Sequence, residues 1–324
     1  IAKLAHGQSD TLLTVTTLAS TCPLMIAPAM DGGMFDHPAT QENIEILEKR
    51  GTVIVGPAEG HLASGLSGKG RMLEPAELIG HARLVLGRNG SLAGKRIVIT
   101  AGGTQEPLDP VRVLTNRSSG KQGYALAQAA LDMGAQVTLI TTPTSLTMPM
   151  GAKAIRVETA KQMLEAVLKE SEISDALIMA AAVADFRPKN KAENKIKKET
   201  GIPHIELEAT EDILKTIAGQ RAERIALREG TDTRIQEDKA KHPRVVVGFA
   251  AESQDLLQNA TNKLESKGLD FIAANDISAN DAGFAVETNR VTLLFADGRT
   301  ESLPLMSKTQ TAEIILERVA ILLE

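Results

Sequence analysis

The first feature of this sequence that could do chemistry is the lysine-rich stretch KIKKETG at residues 195–201. The chain has a formal net charge of −5, so this local positive charge runs against the overall balance. Such a run is usually a solvated surface. Here it follows Asp185 on the same predicted loop, and a carboxylate with lysines nearby suits a triphosphate and its divalent cation. Lys195 and Asp185 are therefore candidate phosphate and Mg²⁺ ligands.

A second candidate is the long segment AGGTQEPLDPVRVLTNRSSGKQG, which leads from a predicted strand into a predicted helix. Free N–H groups at the start of a helix favour an anion. The segment is neither GxGxxG nor a P-loop, because Gly120 and Lys121 are followed by glutamine. Two interpretations remain open, a nucleotide or phosphate site and an ordinary long connection, although loops of this length in compact domains are usually functional.

Two further groups of residues follow later strands. Phe249 lies in VGFAAES and Asn275 in AAND, each near the end of a predicted strand. Lys263 and Lys267 are four residues apart on one predicted helix, so they can face the same phosphates. Core packing for Phe249 and solvated surface positions for the two lysines are the alternatives.

Alternating strands and helices must position these residues. The segments KRIVITAGG, QVTLITTP, DALIMAAAVADF, RVVVGFAAE and LDFIAAND predict strands, separated by helical segments such as GKQGYALAQAALDMGA. Strands that alternate with helices indicate an α/β fold with a doubly wound, mostly parallel Rossmann-like sheet, and the segment NRVTLLFADGRTESLPL predicts a C-terminal β-hairpin. Ligands of such sheets bind at the carboxyl ends of the strands, where the candidate residues are expected.

The segment ARLVLGRNGSLAGKR predicts a domain boundary, because a helical ending passes through Gly, Asn and Ser into a new strand. We therefore predict a domain at 95–324, a linker at 83–94 and a separate α/β piece at 1–82. In the first piece, PLMIAPAM and TVIVGP predict strands and HPATQENIEILEKRG predicts a helix. The polar stretch 228–244 predicts an exposed connection.

Composition excludes several classes of protein. A pI near 5.8 with scattered basic residues argues against a nucleic-acid binder, and no apolar run is long enough to span a membrane, so neither partner is expected. Cys22 is the single cysteine, which excludes an intrachain disulfide and indicates a cytoplasmic location. The chain begins with Ile1 rather than methionine, so we expect a fragment that lacks the natural N-terminus.

These motifs resemble a known family. GGTQEPLDPVRVLTNRSSGKQG, AAAVADFRP, NKIKK, VGFAAE and AND occur in the order and spacing of the phosphopantothenate–cysteine ligase domain of bacterial bifunctional coenzyme A biosynthesis proteins. That resemblance covers about residues 94–324. The motifs IAKLAHG, APAMDGGMFDHPAT and GHLASGLSGKGRM resemble the end of the family's other domain, a flavodoxin-like, flavin-dependent phosphopantothenoylcysteine decarboxylase.

The resemblance implies a two-step ligation in coenzyme A biosynthesis. CTP activates the carboxylate of 4'-phosphopantothenate as an acyl-cytidylate, and the amine of cysteine then displaces CMP. It implies that Asn116 acts beside the acyl-cytidylate and that Lys195 supports its formation. The contacts it implies with CTP are Asp185, Lys195, Glu211, Asp212, Ile213, Leu214, Phe249, Lys263 and Lys267, and those with substrate are Ser118, Ser119, Lys121 and Asn275. Mg²⁺ would bind at Asp185, and the choice of CTP over ATP rests on the resemblance alone.

The decarboxylase-like part departs from its family at two positions. The resemblance implies FMN as cofactor and conversion of 4'-phosphopantothenoylcysteine to 4'-phosphopantetheine. Asp31 stands where the family has a substrate-binding asparagine, and an aspartate repels a carboxylate unless it is protonated or bridged. Ser64 stands where the family has a cysteine, and its hydroxyl is a weaker acid than a thiol. The family's catalytic histidine would precede Ile1, so we expect no decarboxylation by this chain alone.

Two other classes of function stay open beside the ligase. A nicotinamide-dependent Rossmann reductase is disfavoured by the missing GxGxxG and by the missing acidic residue after the second strand. A non-catalytic assembly module would oligomerise without binding CTP. The resemblance also implies a homo-oligomer, with dimers of the ligase domain and trimers of the decarboxylase domain.

Overall fold

The computed structural model describes residues 1–197, 203–229, 243–252, 255–276 and 286–324. The chain folds as two compact units, Ile1–Arg88 and Asn89–Glu324. The end of the lysine-rich stretch, from Lys198 to Gly201, and most of the predicted polar connection lie outside the described residues. No helix in the described part of the chain has the length and apolar character needed to cross a membrane.

The first unit combines short strands with five helices among its residues. Its elements are α1 Ala2–Ala5, α2 Leu12–Ala19, β1 Met25–Ile26, α3 Gly32–Phe35, α4 Pro38–Lys49, β2 Val53–Ile54, β3 Ala58–His61, β4 Ser67–Arg71 and α5 Pro75–Gly87. β1 and β2 pair in parallel, and β3 and β4 form an antiparallel hairpin. The two predicted strands, β1 and β2, and the predicted helix α4 are present, but β1 and β2 are each only two residues long. α5 extends into the segment predicted as a linker.

The second unit is built on one large sheet with helices between its strands. Its elements up to the middle of the unit are β5 Arg96–Ala101, β6 Gln105–Pro107, β7 Val113–Thr115, α6 Lys121–Asp132, β8 Gln136–Thr141, β9 Lys153–Arg156, α7 Ala160–Ser171 and β10 Ala176–Met179. The others are β11 Phe186–Pro188, β12 Leu207–Ala209, α8 Ile213–Glu229, β13 Val245–Glu252, α9 Leu256–Ser266, β14 Phe271–Asp276, β15 Thr288–Asn289, β16 Val291–Phe295, β17 Thr300–Ser302, β18 Met306–Ser307 and α10 Lys308–Leu323.

The sheet confirms the predicted doubly wound topology. Its strand order is β17-β16-β14-β13-β10-β5-β8-β9, and the strands from β14 to β9 are all parallel. The predicted C-terminal hairpin is β16–β17, which pairs antiparallel to β14. The chain moves to one side of β5 through β8 and β9 and then to the other side through β10. The strand order therefore reverses between β5 and β10, where sheets of this kind bind ligands.

Buried apolar side chains explain why the central strands pair in this register. Ile99 of β5 lies beside Ile178 of β10, and both are fully buried. Parallel strands covered by helices on both faces carry continuous apolar runs of this kind. The edge strand β9 has no such run, and three of its four residues are exposed, which is why the sequence alone did not predict it.

Candidate functional site

A cavity of about 420 Å³ opens at the carboxyl ends of β10, β13 and β14, next to the start of α6. It therefore lies at the reversal of the strand order. The structure brings most of the predicted site residues together in its lining. These are Asn116, Ser118, Ser119, Lys121, Asp185, Glu211, Asp212, Ile213, Leu214, Phe249, Lys263, Lys267 and Asn275.

Two glycines place the start of α6 at this cavity. Gly120 precedes the helix with φ +77°, a conformation that glycine adopts without strain, and it has no side chain to cap the first N–H groups. A Cβ at Gly123 would lie 2.5 Å from the Cβ of Ala101, so only glycine lets the helix pack this closely against β5. The open N–H groups at the start of α6 are suited to an anion.

Three threonines hold the loop that follows β10. The Thr100 hydroxyl accepts a hydrogen bond from the Ala181 N–H at 3.1 Å, and the Thr104 hydroxyl accepts one from the Ala184 N–H at 2.8 Å. The Thr210 hydroxyl donates to the Ala184 carbonyl oxygen at 2.6 Å. The small residues 180–184 of this loop form one wall of the cavity. Side chains from three other segments thus hold this wall in place. The sequence analysis did not name these threonines as candidate residues, although Thr100 and Thr104 lie within quoted segments.

Asn116 and Asp185 both lie at this wall. The Asn116 amide nitrogen donates to the Val183 carbonyl oxygen at 3.1 Å and to the Ala182 carbonyl oxygen at 3.5 Å. The Asp185 carbonyl oxygen accepts a hydrogen bond from the Thr210 N–H at 3.0 Å, and the residue is exposed at the cavity. The Asn116 side chain is therefore tied to the loop after β10, and the exposed Asp185 carboxylate is open to a cation.

The two helical lysines lie at the end of α9. Lys267 caps its C-terminus and forms an ion pair with Asp212, with 3.2 Å between the ammonium nitrogen and the carboxylate oxygen. The other carboxylate oxygen of Asp212 accepts a hydrogen bond from the Lys215 N–H at 3.1 Å, at the start of α8. Lys263 lies one turn before Lys267. Both lysines line the cavity, and their contact with the phosphates of a nucleotide stays a prediction.

Lys195 differs from the other predicted residues. It is exposed, and it is not among the described residues that line the cavity. The next residue, Ile196, donates its N–H to the buried Asp109 carboxylate at 3.1 Å. Arg112 donates to the Ile196 carbonyl oxygen at 2.9 Å and to the Asp109 carboxylate at 2.9 Å. The lysine-rich segment is therefore anchored to the loop between β6 and β7.

Asp109 is held in its charged form by these partners. The guanidinium of Arg112 has the largest effect in holding the pKa of the Asp109 carboxyl well below its usual range. Burial opposes this effect, and the N–H groups of Val111, Ile196 and Arg112 itself support it. Asp109 was not among the predicted site residues, although it lies within a quoted motif.

Three polar or charged side chains near the starts of α6 and α10 were also missed by the sequence analysis. Gln122, Asn289 and Lys308 line the same cavity. Gln122 follows the predicted Lys121, but Asn289 and Lys308 come from the C-terminal part of the chain, where the sequence showed only a hairpin and a helix. No motif or spacing connected them with the site.

Asp31 and Ser64, the two positions of the first unit that depart from the family's residues, are in direct contact. The Ser64 hydroxyl donates to one Asp31 carboxylate oxygen at 2.7 Å, and the Gly33 N–H donates to the other at 3.1 Å. Chiefly the Ser64 hydrogen bond, and then that of Gly33, lowers the pKa of Asp31. Asp31 is thus hydrogen-bonded to Ser64 and ionised at neutral pH. Protonation of Asp31 therefore does not explain how an aspartate can stand where the family has a substrate-binding asparagine.

The described residues contain no group of three or more His, Cys, Asp or Glu side chains placed to hold a metal ion. Mg²⁺ is commonly bound by one or two carboxylates together with substrate phosphates and water. A single open carboxylate such as Asp185 fits that pattern, whereas it would not fit a site made of protein ligands only.

Comparison with known families gives two matches that together cover most of the chain. Residues 92–322 match the family described as DNA/pantothenate metabolism flavoprotein C-terminal domain. Residues 1–83 match the family described as flavoprotein.

Individual relatives extend over nearly the whole chain. The coenzyme A biosynthesis bifunctional protein CoaBC of Bacillus subtilis is 46% identical over 325 residues, covering 99% of this chain and 75% of that protein. The protein of the same name from Vibrio cholerae is 43% identical over 321 residues, covering 98% of this chain and 75% of the relative.

Two solved structures are similar to a large part of the chain. The crystal structure of the C-terminal domain of coenzyme A biosynthesis bifunctional protein CoaBC has a TM-score of 0.56 and 39% identity, covering 72% of this chain and 98% of its own. A Cab2 mutant in complex with phosphopantothenate-cysteine has a TM-score of 0.53 at 18% identity, covering 76% of this chain and 90% of its own. The second similarity concerns the fold alone.

Proposed function

This chain belongs to the family of the bacterial coenzyme A biosynthesis bifunctional protein CoaBC, and on that premise we propose that its second unit ligates 4'-phosphopantothenate to cysteine using CTP. As a member of this family, the protein is an enzyme of coenzyme A biosynthesis with ligase and decarboxylase activities. The observation that carries the proposal is that one cavity gathers Asn116, Asp185 and the start of α6.

In the first step, a carboxylate oxygen of 4'-phosphopantothenate attacks the α-phosphorus of CTP. The bond from the α-phosphorus to the bridging oxygen breaks, and pyrophosphate leaves with the electron pair. Negative charge therefore grows on the departing phosphates. The N–H groups at the start of α6 and the ammonium groups of Lys263 and Lys267 are suited to offset it. Asp185 would hold Mg²⁺ against the phosphate oxygens, where the cation would neutralise charge.

In the second step, the cysteine amine attacks the acyl carbon of the acyl-cytidylate. A C–N bond forms, the bond to the CMP oxygen breaks, and the amine loses a proton. The acyl oxygen carries negative charge while the carbon is tetrahedral. An amide hydrogen of Asn116 can stabilise that charge by exchanging its long, 3.5 Å contact with the Ala182 carbonyl oxygen for the acyl oxygen, while the bond to Val183 holds the side chain in place.

Lys195 is proposed to assist the first step. Because it lies outside the cavity lining, this role requires its segment to approach the triphosphate when the nucleotide binds. The anchored Ile196 limits that approach to movement together with the loop that contains Asp109 and Arg112.

The first unit is proposed to belong to the decarboxylase half of the protein. The flavoprotein match supports FMN as the group that supplies the redox chemistry. Among the described residues of this unit, the bridged side chains of Asp31 and Ser64 are the candidates for substrate contact. An ionised Asp31 favours a cationic or hydrogen-bond-donating group of the substrate over its carboxylate.

A homo-oligomer is also proposed, with dimers through the second unit and trimers through the first. Exposed apolar side chains in the small hairpins of the second unit, among them Val113, Phe186 and Leu207, support a contact with a second copy. In the first unit, Leu12, Leu13 and Leu18 of α2 are exposed in the same way. Light scattering at several protein concentrations tests this, and a purely monomeric chain would contradict it.

The decisive experiment is pyrophosphate release from CTP with 4'-phosphopantothenate and Mg²⁺ but without cysteine. We expect stoichiometric release by the parent chain and a loss of about 10²- to 10³-fold in the rate for Lys195→Gln. Asn116→Asp should still release pyrophosphate and accumulate the acyl-cytidylate. ATP in place of CTP measures the nucleotide preference.

Lys161→Gln is the matched control, because Lys161 is an exposed lysine of α7 that does not line the described cavity. It should behave as the parent does. A folded parent chain that releases no pyrophosphate would refute the ligase proposal, and binding of NADH instead would support the reductase.

A further inference from the structure

Two helices of the second unit begin at the same cavity. α6 starts at Lys121 and α10 starts at Lys308, so each helix has a lysine as its first residue. Both lysines line the cavity. The start of a helix carries partial positive charge from its open N–H groups. Ser307 caps the start of α10, and the Lys308 N–H donates to the Glu287 carbonyl oxygen, so this wall of the cavity combines two lysine side chains with the uncapped start of α6.

Lys308 is buried, with 6% of its surface exposed. Burial and the ammonium of Lys121 lower the pKa of Lys308, and Glu287 raises it by a smaller amount. A multiply charged anion between the two lysines would reverse the unfavourable effect that each has on the other.

Glu287 is the described carboxylate at this wall. It forms an ion pair with Lys121, and its own side chain is 78% exposed. Exposed ion pairs contribute little free energy, because water and salt screen them. An anionic ligand with two or more charges can therefore displace Glu287 from Lys121 at small cost.

A buried polar side chain completes the wall. The Asn289 amide nitrogen donates to the Gln122 side-chain oxygen at 2.7 Å, and Gln122 donates to the Lys308 carbonyl oxygen at 3.3 Å. The Asn289 residue is 3% exposed, and among the described residues its side-chain oxygen has no hydrogen-bond partner. A buried acceptor without a donor is costly, so a donor supplied by a ligand is expected there.

We propose that Lys308, Lys121 and the start of α6 form a subsite for a phosphoryl group, and that Asn289 accepts a hydrogen bond from a hydroxyl or N–H of the same ligand. The subsite rests on the proposed ligase function and adds Lys308 and Asn289 to its binding residues. The phosphoryl group belongs either to the nucleotide triphosphate or to the phosphorylated acid, since both ligands also carry hydroxyl groups.

Direct binding of inorganic pyrophosphate tests the subsite without relying on catalysis. Titration calorimetry would compare the parent chain with Lys308→Gln, Glu287→Gln and the control Lys161→Gln. Loss of a buried charge-assisted contact should weaken binding by about tenfold or more in Lys308→Gln. Removal of the competing carboxylate should tighten binding by about two- to fivefold in Glu287→Gln at low salt. Lys161→Gln should bind as the parent does.

Opposite shifts in the two variants support the subsite. A Lys308→Gln variant that binds pyrophosphate as tightly as the parent would overturn it. If Lys308→Gln does not fold, the exposed Glu287→Gln decides, because unchanged or weaker binding in that variant also contradicts the proposal.

Steady-state kinetics then identifies the source of the phosphoryl group. A rise in KM for CTP alone in Lys308→Gln assigns the subsite to the triphosphate, and a rise in KM for 4'-phosphopantothenate alone assigns it to the acid. If the parent chain binds pyrophosphate through Lys308 but releases none from CTP, the ligase proposal fails and the subsite stands. If the parent is an active ligase and Lys308→Gln binds pyrophosphate as tightly as the parent does, only the subsite fails.

Discussion

The two units hold their candidate residues in different ways. In the second unit, buried threonines and backbone groups fix the cavity wall, as with Thr104 and the Ala184 N–H. In the first unit, one hydrogen bond between the exposed Ser64 and Asp31 side chains joins the two candidates. A wall fixed by several buried hydrogen bonds tolerates the loss of one, whereas a single exposed contact has no substitute.

The two units also differ in how their apolar side chains pack beneath the candidate residues. The second unit has buried apolar residues along every central strand, such as Ile99 and Ile178. In the first unit, Leu12 is 84% exposed and Leu86 is 78% exposed, and its strands are two to five residues long. We infer that the sheet, rather than the loops themselves, gives the second site its precision.

The largest expected effect comes from adding one methyl group at Gly123, beneath the cavity of the second unit. A Cβ at Gly123 would approach the Thr100 carbonyl oxygen to 2.8 Å as well as the Cβ of Ala101, and buried backbone cannot easily move away. Gly123→Ala should lower the free energy of unfolding by about 1–3 kcal/mol. Chemical denaturation monitored by circular dichroism measures the change.

Gly33→Ala in the first unit is the matched control. A Cβ there would lie 3.6 Å from an Asp31 carboxylate oxygen, an ordinary contact distance. Its free energy of unfolding should stay the same or rise by about 0.4–1 kcal/mol, because alanine restricts the unfolded chain. Equal losses in the two variants would contradict the view that Gly123 is packed more closely than Gly33.

A smaller effect is expected when the lysine-rich segment is released. Asp109→Asn removes the charge that binds Arg112, so the Ile196 N–H loses its strongest acceptor. Pyrophosphate release should slow by about tenfold, because the segment of Lys195 loses the contact that positions it. KM for CTP should change little, since the cavity wall is untouched. Amide hydrogen exchange should rise in residues 190–197 and stay constant in residues 180–185.

Asp109→Glu separates positioning from simple loss of structure. If the acid's charge positions the segment, the glutamate variant should regain part of the rate. Exchange that rises equally in both segments would show that Asp109 supports the whole unit and has no specific effect on Lys195.

The smallest effect concerns the exposed pair of the first unit. The Ser64 hydrogen bond is the main cause of the lowered pKa of Asp31, so Ser64→Ala should bring that pKa back towards its ordinary value. The return should be partial, because the Gly33 N–H still donates. NMR titration of the Asp31 carboxyl carbon measures it, and an unchanged pKa would mean that the pair does not form in solution.

The direction of the pH dependence follows from the same shift. A carboxyl whose pKa is lower in the folded state stabilises that state above its unfolded pKa and loses this contribution as the pH falls through the folded value. Asp31 and Asp109 both belong to this class. Acid should therefore weaken the Ser64 bridge and the anchor at Ile196, and neither should weaken on raising the pH from neutral.

Much of the fold could be predicted because the signals were local. Continuous apolar runs such as RIVITA and ALIM predict buried parallel strands, and glycines mark the ends of several helices. The edge strand β9 was missed because its residues are exposed and carry no such run. The hairpins β6–β7 and β11–β12 were missed because each strand is only three residues long.

Within the site, residue types and spacing along the chain indicated Asp185, Lys263 and Lys267, whereas the family resemblance supplied Asn116. The sequence by itself therefore determined the family and the doubly wound sheet, and it supplied many of the residues that line the cavity, since these depend on local patterns that follow successive strands.

Only the tertiary structure decided which groups meet across long sequence separations. It brought Lys308 and Asn289 to the start of α6, and it put Lys195 outside the cavity through its neighbour's bond to Asp109. It also joined Asp31 to Ser64, two positions that the sequence treats as independent departures. The physical reason is that burial and pairing depend on how the sheet brings distant segments together, which a residue's near neighbours in the chain do not encode.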